Sequence, residues 1–454
     1  MYRTDAQPQG VAERPAIKYN DWPWIIAFFA HLVAMIGIFG FFLSDVSSET
    51  ESNNNSSDSE VIEDTLTPAI PIIIVCAIIG GVVGAVWMAL MRYVTKQFVW
   101  GVLFTTPACW IVLAIYFLST ENSKGAAVPC ILFALISLVM TYLLRKKVPF
   151  TIVLCRTSAM LIPKYWGSYV VTGCEAASMF FYFLFFIVLV ILALISLAVL
   201  RDDSNSFIGL FFVTLFSLYW TANVIKLVAH TTICGSVSTW YFLSGTPFES
   251  TCESPTPASF KRATTTSFGT ICAGGLIIAI LQTIHALINT FARGALRCIC
   301  ASIIGSIKAL VELFSTNLFA FVAIYGQPLR PAARNTKELL VKEGMTAVAN
   351  AHVLGTITFL GSCISGLLAL IVSVAMVTDD MDPLAVVFAV ILGFLMALLV
   401  TWLILTPIPS ACVALFVCIS CEPHRMAQHD AEFAEIINQK RQEEFARQQQ
   451  AQVQ

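Results

Sequence analysis

One apolar stretch of the chain, which begins at Phe207, carries polar and ionisable side chains where a membrane helix normally has none. At about 100° per residue, several of them fall on one narrow helical stripe. The members of this stripe are Tyr219, Asn223, Lys226 and His230, with Trp220 beside them. A lysine near the bilayer centre costs roughly 2.5–3.5 kcal/mol on insertion scales, so such residues usually face a bundle interior or a wet cavity. The stripe therefore predicts a polar surface inside a membrane protein.

Two other interpretations of this stretch are open. In the first, Lys226 and His230 lie at the helix end and extend their polar tips to the membrane interface. The second concerns the segment from Gly235 to Phe242, which is aromatic but broken by small residues. Such a composition is typical of a short interfacial or re-entrant piece.

A second polar stripe lies in the apolar run 268–290. Its members are Gly275, Gln282, His285 and Asn289, interrupted by the apolar Ile278. Such a stripe lines a pathway or joins helices through hydrogen bonds, and the sequence favours neither interpretation. The pair Gly274-Gly275, like Gly80 and Gly84 in the run 69–91, predicts close helix packing.

Glu312 is the only carboxylate that the sequence places well inside an apolar run. Two roles are open for Glu312: a counter-charge for a bound cation, or an ion pair with Lys308, four residues earlier on the same helix. The ion pair is the favoured interpretation. His31, His230 and His285 are isolated in sequence, as hydrogen-bonded packing residues are. The sequence contains no H-E-x-x-H, no G-x-S-x-G and no phosphate-binding glycine loop. We therefore expect neither enzyme activity nor a metal site or cofactor.

The composition places these groups in a polytopic membrane protein. Of the 454 residues, 57% are hydrophobic and 12% are charged, and the mean hydropathy is +0.80. A soluble domain carries about 25% charged residues. The net charge of −2 gives no indication of a nucleic-acid partner. The expected fold class is all-α, a bundle of about ten transmembrane helices in the lipid bilayer, because backbone in lipid must bond within its own segment.

Apolar runs of about 20 residues predict the membrane spans. The candidates are 24–43, 69–91, 98–118, 127–144, 176–200, 207–229, 268–290, 305–325, 351–376 and 385–406. The run 305–325 is the weakest of them because it contains two charged residues. The segment 148–172 is interrupted by charges and a proline, and we expect an amphipathic interfacial helix there.

Basic residues predict the orientation of these spans. With the amino terminus inside, most of the 26 lysines and arginines fall in cytoplasmic segments. Both termini are then cytoplasmic, and residues 1–21 lack the pattern of a cleaved signal peptide. The expected parts are an N-terminal segment at 1–21, a membrane domain at 22–410 and a C-terminal tail at 422–454. Arg293 and Arg297 fit poorly, so it is open whether 268–325 crosses twice or is partly re-entrant.

The segment 44–67 contains seven carboxylates and neither lysine nor arginine. It is predicted to be an extracellular acidic loop, with overlapping glycosylation sequons at Asn54 and Asn55. One interpretation is that its negative charge concentrates cations near a pore mouth. The favoured interpretation is that the segment is a solvated tether.

Three blocks of the sequence point to a known family. The first block contains Trp220-Thr221, Val224-Ile225-Lys226, His230, Gly235 and Trp240-Tyr241-Phe242. The second is FGTICAGGLI at 268–277, and the third is AIYG at 323–326. In order and spacing they resemble the choline transporter-like family of membrane proteins, in which the second and third elements read FGSIC-x-GSLI and AIYG. The lead-in at 18–23 is similar to that of fungal and protozoan members, and the resemblance covers roughly 18–421. One departure is Leu227, where the family leads us to expect asparagine.

The resemblance implies a sodium-independent carrier of choline or a related amine in the plasma membrane. The quaternary ammonium of choline donates no hydrogen bonds, and proteins hold such groups against aromatic faces. The candidate substrate-path residues are Tyr219, Trp220, Asn223, Lys226, Gln282, His285, Asn289, Glu312 and Tyr325. Proton exchange would use His230, His285 or Glu312. The alternatives are a non-transporting membrane scaffold or regulatory protein and, more weakly, a membrane-bound enzyme acting on lipid head groups.

Overall fold

The structure is a computed structural model that describes residues 19–50, 69–120, 124–200, 204–245, 254–291, 294–377, 383–423, 425 and 435. Within these ranges every regular element is a helix and no strand occurs, which confirms the predicted all-α class. Ten helical segments of the described chain are long and apolar enough to cross a membrane, as predicted. The sequons at Asn54 and Asn55, most of the acidic loop and most of both terminal segments lie outside the described residues.

The chain forms two compact units, residues 1–57 with 167–338 and residues 58–166 with 339–454. In chain order the helices are α1 (Pro23–Thr50), α2 (Ala69–Tyr93), α3 (Thr95–Ser119), α4 (Lys124–Leu144), α5 (Val148–Lys164), α6 (Gly167–Ala193), α7 (Ser204–Leu243), α8 (Pro255–Thr264), α9 (Phe268–Phe291), α10 (Gly294–Tyr325), α11 (Leu329–Ala375), α12 (Pro383–Leu405) and α13 (Pro407–Cys421). A short π-helical segment, Leu194–Leu200, follows α6. The first unit holds α1, α6 to α10 and the start of α11, and the second unit holds the remainder.

Helix α7 continues beyond its predicted end at residue 229. It is a single helix of 40 residues, about 60 Å long at 1.5 Å per residue. The interfacial or re-entrant piece predicted after Gly235 is therefore wrong. The helix continues because residues 229–238 are all buried in protein, where Ser236 Oγ donates to the carbonyl oxygen of Thr232 over 3.0 Å.

Helices α5 and α6 divide the segment 148–172, which was predicted as one interfacial helix. Helix α5 ends at Lys164, and α6 begins at Gly167. In the second unit, α5 packs against α13, and 10 of its 17 residues are buried. An interfacial helix would turn this apolar face towards lipid, so the prediction is corrected: protein covers it.

Helices α9 and α10 bear on whether the segment 268–325 crosses the membrane twice or is partly re-entrant. Each is unbroken over its described range, 268–291 and 294–325 respectively. Each also has the length and apolar composition of a membrane-crossing helix. The structure therefore favours two crossings over a re-entrant loop.

The glycine pairs lie at close helix contacts, as predicted. In the second unit, a Cβ at Gly80 would lie 2.8 Å from the carbonyl oxygen of Ala397, so α2 and α12 approach backbone to backbone. In the first unit, a Cβ at Gly274 would overlap the ring of Phe319 on α10. The neighbouring Gly275 faces Val224 of α7, where an added Cβ would lie 3.0 Å from Cγ2. Small residues thus let α9 pack between two helices.

Asn20 and Asp21, just before α1, form hydrogen bonds with the ends of helices that are distant in sequence within the first unit. Asn20 donates from Nδ2 to the carbonyl oxygen of Gly326 over 2.8 Å. Asp21 Oδ2 accepts a hydrogen bond from Thr270 Oγ1 at 2.7 Å and another from the backbone N–H of Leu329 at 2.9 Å. One short segment therefore binds the start of α9, the end of α10 and the start of α11. We call this arrangement the N-terminal clamp.

Gly269 makes the N-terminal clamp sterically possible. A Cβ at this position would overlap the carbonyl oxygens of Asn20 and Asp21. Asp21 itself has a φ of 52°, a conformation in which few residues other than glycine and asparagine or aspartate are common. The lead-in at 18–23, the block at 268–277 and the block at 323–326, which the sequence presents separately, thus meet at one place.

Candidate functional site

The two polar stripes predicted on separate helices meet inside the first unit. Asn223 of α7 donates from Nδ2 to Oε1 of Gln282 on α9 over 2.7 Å. The same nitrogen donates to the carbonyl oxygen of Tyr219, also over 2.7 Å. Asn223 is buried and Gln282 is half-buried. We call the surface formed by Tyr219, Asn223 and Gln282 the polar seam.

The remaining members of the second stripe extend this surface along α9. His285 is half-buried and faces Gly305 of α10, where an added Cβ would lie 3.8 Å from its Cε1. Its Nδ1 has no hydrogen-bond partner among the described residues. Asn289 is also half-buried and lies one turn nearer the end of α9 at Phe291. Polar groups therefore line about a third of the length of α9.

His230 lies in the protein interior rather than at a membrane interface. It is 8% exposed, and its Nε2 is 2.9 Å from the carbonyl oxygen of Thr316 on α10. Because a carbonyl oxygen only accepts, the ring donates from Nε2. The interpretation in which His230 extends to the interface is therefore wrong, and the ring joins α7 to α10.

Lys226 continues the stripe on α7 and interacts electrostatically with two groups of the first unit, Glu175 on α6 and His230. Lys226 is exposed, whereas Glu175 is 6% exposed. No described residue donates a hydrogen bond to the Glu175 carboxylate or forms an ion pair with it.

Glu175 is not among the residues predicted from the sequence, because the predicted fifth span begins at residue 176. The structure begins α6 nine residues earlier, at Gly167. A signal was available, since Ser168, Thr172, Glu175 and Tyr182 follow one another at intervals of four, three and seven residues. Such spacing places them on one helical face. This face packs against α7.

Trp220 lies in an aromatic cluster of α1 and α7. It is 5% exposed, and its indole N–H donates to the carbonyl oxygen of Cys272 over 3.1 Å. The ring of His31 lies 4.8 Å away between centroids, and that of Phe28 lies 5.5 Å away. The faces of the indole are therefore covered by other side chains of the protein.

A small internal cavity lies on the other side of the hydroxyl group of Ser217. It is lined by Met35, Tyr182, Phe185, Phe186, Leu189, Thr214 and Ser217. Ser217 Oγ lies 2.6 Å from the hydroxyl of Tyr182 and 2.7 Å from Nε2 of His31, so α1, α6 and α7 share one polar network. Aromatic rings and hydroxyl groups come together here, and the space between them is too small to hold a water molecule.

Two of the predicted site residues are engaged elsewhere. Glu312 lies 3.8 Å from Nζ of Lys308 on the same helix, which confirms the favoured interpretation of that pair. Tyr325, at the end of α10, stacks on Phe321 with 6.0 Å between ring centroids. Among the described residues, no three His, Cys, Asp or Glu side chains are grouped so as to hold a metal ion.

Comparison with known proteins finds a match to the family described as plasma-membrane choline transporter, over residues 128–424. A CTL-like protein of Dictyostelium discoideum is 30% identical over 315 residues, which cover 67% of this chain and 55% of that protein. Protein PNS1 of Eremothecium gossypii is 24% identical over 372 residues, covering 74% of this chain and 65% of the relative. Protein pns1 of Aspergillus fumigatus is 26% identical over 372 residues, with coverages of 74% and 67%. The chain thus spans less than two thirds of the length of the first two relatives.

Proposed function

Because the chain belongs to the choline transporter-like family, we propose that it carries choline or a related amine across the plasma membrane. The family description supplies the substrate class and the membrane. Ten helices of membrane-spanning length suit a carrier. In this proposal both termini are cytoplasmic, as the distribution of basic residues predicts. No observation favours the alternative of a lipid-head-group enzyme.

The observation that carries this proposal is the convergence of polar groups inside the first unit. Three helices contribute them: Glu175 lies on α6, Asn223 on α7 and Gln282 on α9. Ionisable groups within membrane-spanning segments are costly and often mark substrate or ion pathways. About two turns away along α6 and α7, aromatic rings and hydroxyl groups surround Tyr182 and Ser217 in a closed space, which would have to open to admit an ammonium group.

We place the substrate path along α7, past Asn223 to Lys226. The path candidates are Tyr219, Asn223, Lys226, Gln282, His285 and Asn289. Trp220 forms a wall of the path and does not contact substrate through its ring faces, because His31 and Phe28 cover them. We leave Glu312 out of the path because Lys308 of its own helix pairs with it, and we leave out Tyr325 because its ring stacks on Phe321.

Uptake of radiolabelled choline into liposomes that contain the purified protein tests the proposal. We expect saturable uptake that ethanolamine inhibits. The double variant Asn223→Leu/Gln282→Leu should lose uptake at equal reconstitution, because it removes the polar seam. Absence of saturable uptake of either amine by the wild-type protein would overturn the carrier proposal.

A non-transporting scaffold is the second candidate, and the bond between Asn223 and Gln282 is the observation that favours it. The two amides satisfy each other, as residues that only join helices do, and such bonds contribute on average about 0.6 kcal/mol in membranes. A scaffold would show no uptake in the wild type. It would also tolerate the double leucine variant with little change in thermal stability, because leucine packs well at a helix contact.

A further inference from the structure

We propose that the surface around the N-terminal clamp binds the head groups of anionic phospholipids. This surface consists of three basic and two aromatic side chains of the first unit, which are Lys261, Arg262, Arg330, Tyr19 and Trp22. We call it the clamp surface. The inference does not depend on which substrate is carried, and it assigns a lipid partner to a part of the first unit that lies outside the polar seam.

The N-terminal clamp lies where four membrane-crossing segments begin or end. These segments are Pro23–Asp45, Phe268–Phe291, Cys300–Tyr325 and Leu329–Ala375. The backbone N–H of Asn20 donates to the carbonyl oxygen of Thr266 over 3.0 Å, and Asp21 Oδ2 accepts from the backbone N–H of Leu329. The ends of apolar spans lie at the level of the lipid head groups. The clamp surface is therefore within reach of these head groups.

Three cations lie beside the clamp and have no described acidic partner. Lys261 and Arg262 belong to the last turn of α8, and the carbonyl oxygen of Arg262 accepts a hydrogen bond from the backbone N–H of Ser267, just before α9. Arg330 directly follows Leu329, which the clamp binds. All three basic side chains are exposed, and no described aspartate or glutamate forms an ion pair with them. The clamp surface thus carries positive charge that an anionic lipid can neutralise.

The packing of α8 on α7 orients the guanidinium group of Arg262. A Cβ at Gly235 of α7 would lie 2.9 Å from Ser259 Oγ and 3.4 Å from Nη2 of Arg262, so both side chains rest on this glycine. The same Nη2 donates to Ser259 Oγ over 3.1 Å. The other guanidinium N–H groups have no described acceptor. Their planar arrangement suits the oxygens of a phosphate group, so Arg262 is the residue that we assign to the lipid phosphate.

Two aromatic side chains complete the clamp surface. Tyr19 is 58% exposed and Trp22 is 59% exposed, although both flank residues that the clamp holds in place. Aromatic rings with a polar tip are enriched at the level of the lipid head groups. The Asp21 carboxylate between them is engaged by Thr270 and Leu329. Exposed cations beside interfacial aromatic rings are typical of protein surfaces that bind anionic lipids.

Titration of the purified protein with phosphatidylserine and, separately, with phosphatidylcholine tests this inference. Native mass spectrometry from a non-ionic detergent measures the fraction of protein that retains each lipid. We expect the wild type to bind phosphatidylserine at least about tenfold more tightly, because each basic residue near an anionic lipid surface contributes roughly fivefold. The triple variant Lys261→Gln/Arg262→Gln/Arg330→Gln should bind the two lipids with affinities within about twofold of each other.

The matched control neutralises one lysine and two arginines that are also exposed at helix ends, but in the second unit. This variant, Arg92→Gln/Lys96→Gln/Arg145→Gln, should keep the preference of the wild type. The double variant Lys261→Gln/Arg330→Gln changes side chains that form no described hydrogen bond, so it leaves the contact between α7 and α8 intact. It should lower the preference by at least about fivefold. An unchanged preference in the double variant, an equal loss in the control, or no preference in the wild type would overturn the inference.

Discussion

Replacement of Gly269 by alanine should open the N-terminal clamp. The added Cβ would overlap the carbonyl oxygens of Asn20 and Asp21, and backbone atoms cannot rotate away as a side chain does. The clamp contains two hydrogen bonds to the Asp21 carboxylate, which contribute about 1.5–3 kcal/mol each. It also contains two neutral hydrogen bonds that Asn20 donates, one from its side chain and one from its backbone N–H, which contribute about 0.5–1.5 kcal/mol each. If relaxation preserves about half of this energy, Gly269→Ala lowers the free energy of unfolding by about 2–4 kcal/mol.

Thermal unfolding of the purified protein in detergent measures this effect. For a unit of this size, we expect Gly269→Ala to lower Tm by roughly 4–16 °C. The matched control is Gly173→Ala on α6, where an added Cβ meets nothing within 4 Å. There, alanine should be neutral or stabilise the helix by about 0.5–1 kcal/mol. The Asp21→Ala variant should lower Tm as well, and the double variant should add little, since both changes open one clamp. Equal Tm values for Gly269→Ala and Gly173→Ala would refute the reasoning.

Two further predictions concern the aromatic cluster and the orientation. Trp220→Leu should lower the free energy of unfolding by about 2–4 kcal/mol, because the packing of the ring is lost. Trp220→Phe should lower it by about 1 kcal/mol, because the hydrogen bond to the carbonyl oxygen of Cys272 is lost. Thermal unfolding measures both effects. Unchanged Tm values together with weaker choline binding would instead assign the indole to the substrate path. In a cysteine-accessibility scan, residues 330–345 should be labelled only from the cytoplasm and 377–384 only from outside, and external labelling at 330–345 would reverse the orientation.

The candidate site was partly predictable because helical stripes depend only on local spacing. Counting at 100° per residue correctly placed Asn223 and Gln282 each on a polar face of its own helix. It could not show that these faces meet, since 59 residues separate the two amides. Trp220, which the count places beside the stripe, turns towards α1 and α9. Only packing sets how each helix is rotated about its axis.

Helix ends caused the main errors about the site. Hydropathy predicts that the fifth span begins at residue 176, which leaves Glu175 just outside it, whereas α6 begins at Gly167. Hydropathy also ends the sixth span at residue 229, although α7 continues to Leu243. Hydropathy measures the cost of exposure to lipid, whereas these helix ends are covered by protein, where polar side chains find partners.

The sequence by itself determined the membrane class, the all-α fold and the number of spans. These properties follow from the mean hydropathy and from runs of about 20 apolar residues, because lipid offers no partners to an unpaired backbone. The tertiary structure alone decided that Asp21 binds the starts of α9 and α11, across 249 and 308 residues of sequence. It also decided that Asn223 of α7 meets Gln282 of α9. Such contacts depend on which helix faces pack together. The sequence does not specify these pairings, because an apolar helix face can pack equally well against many other apolar faces.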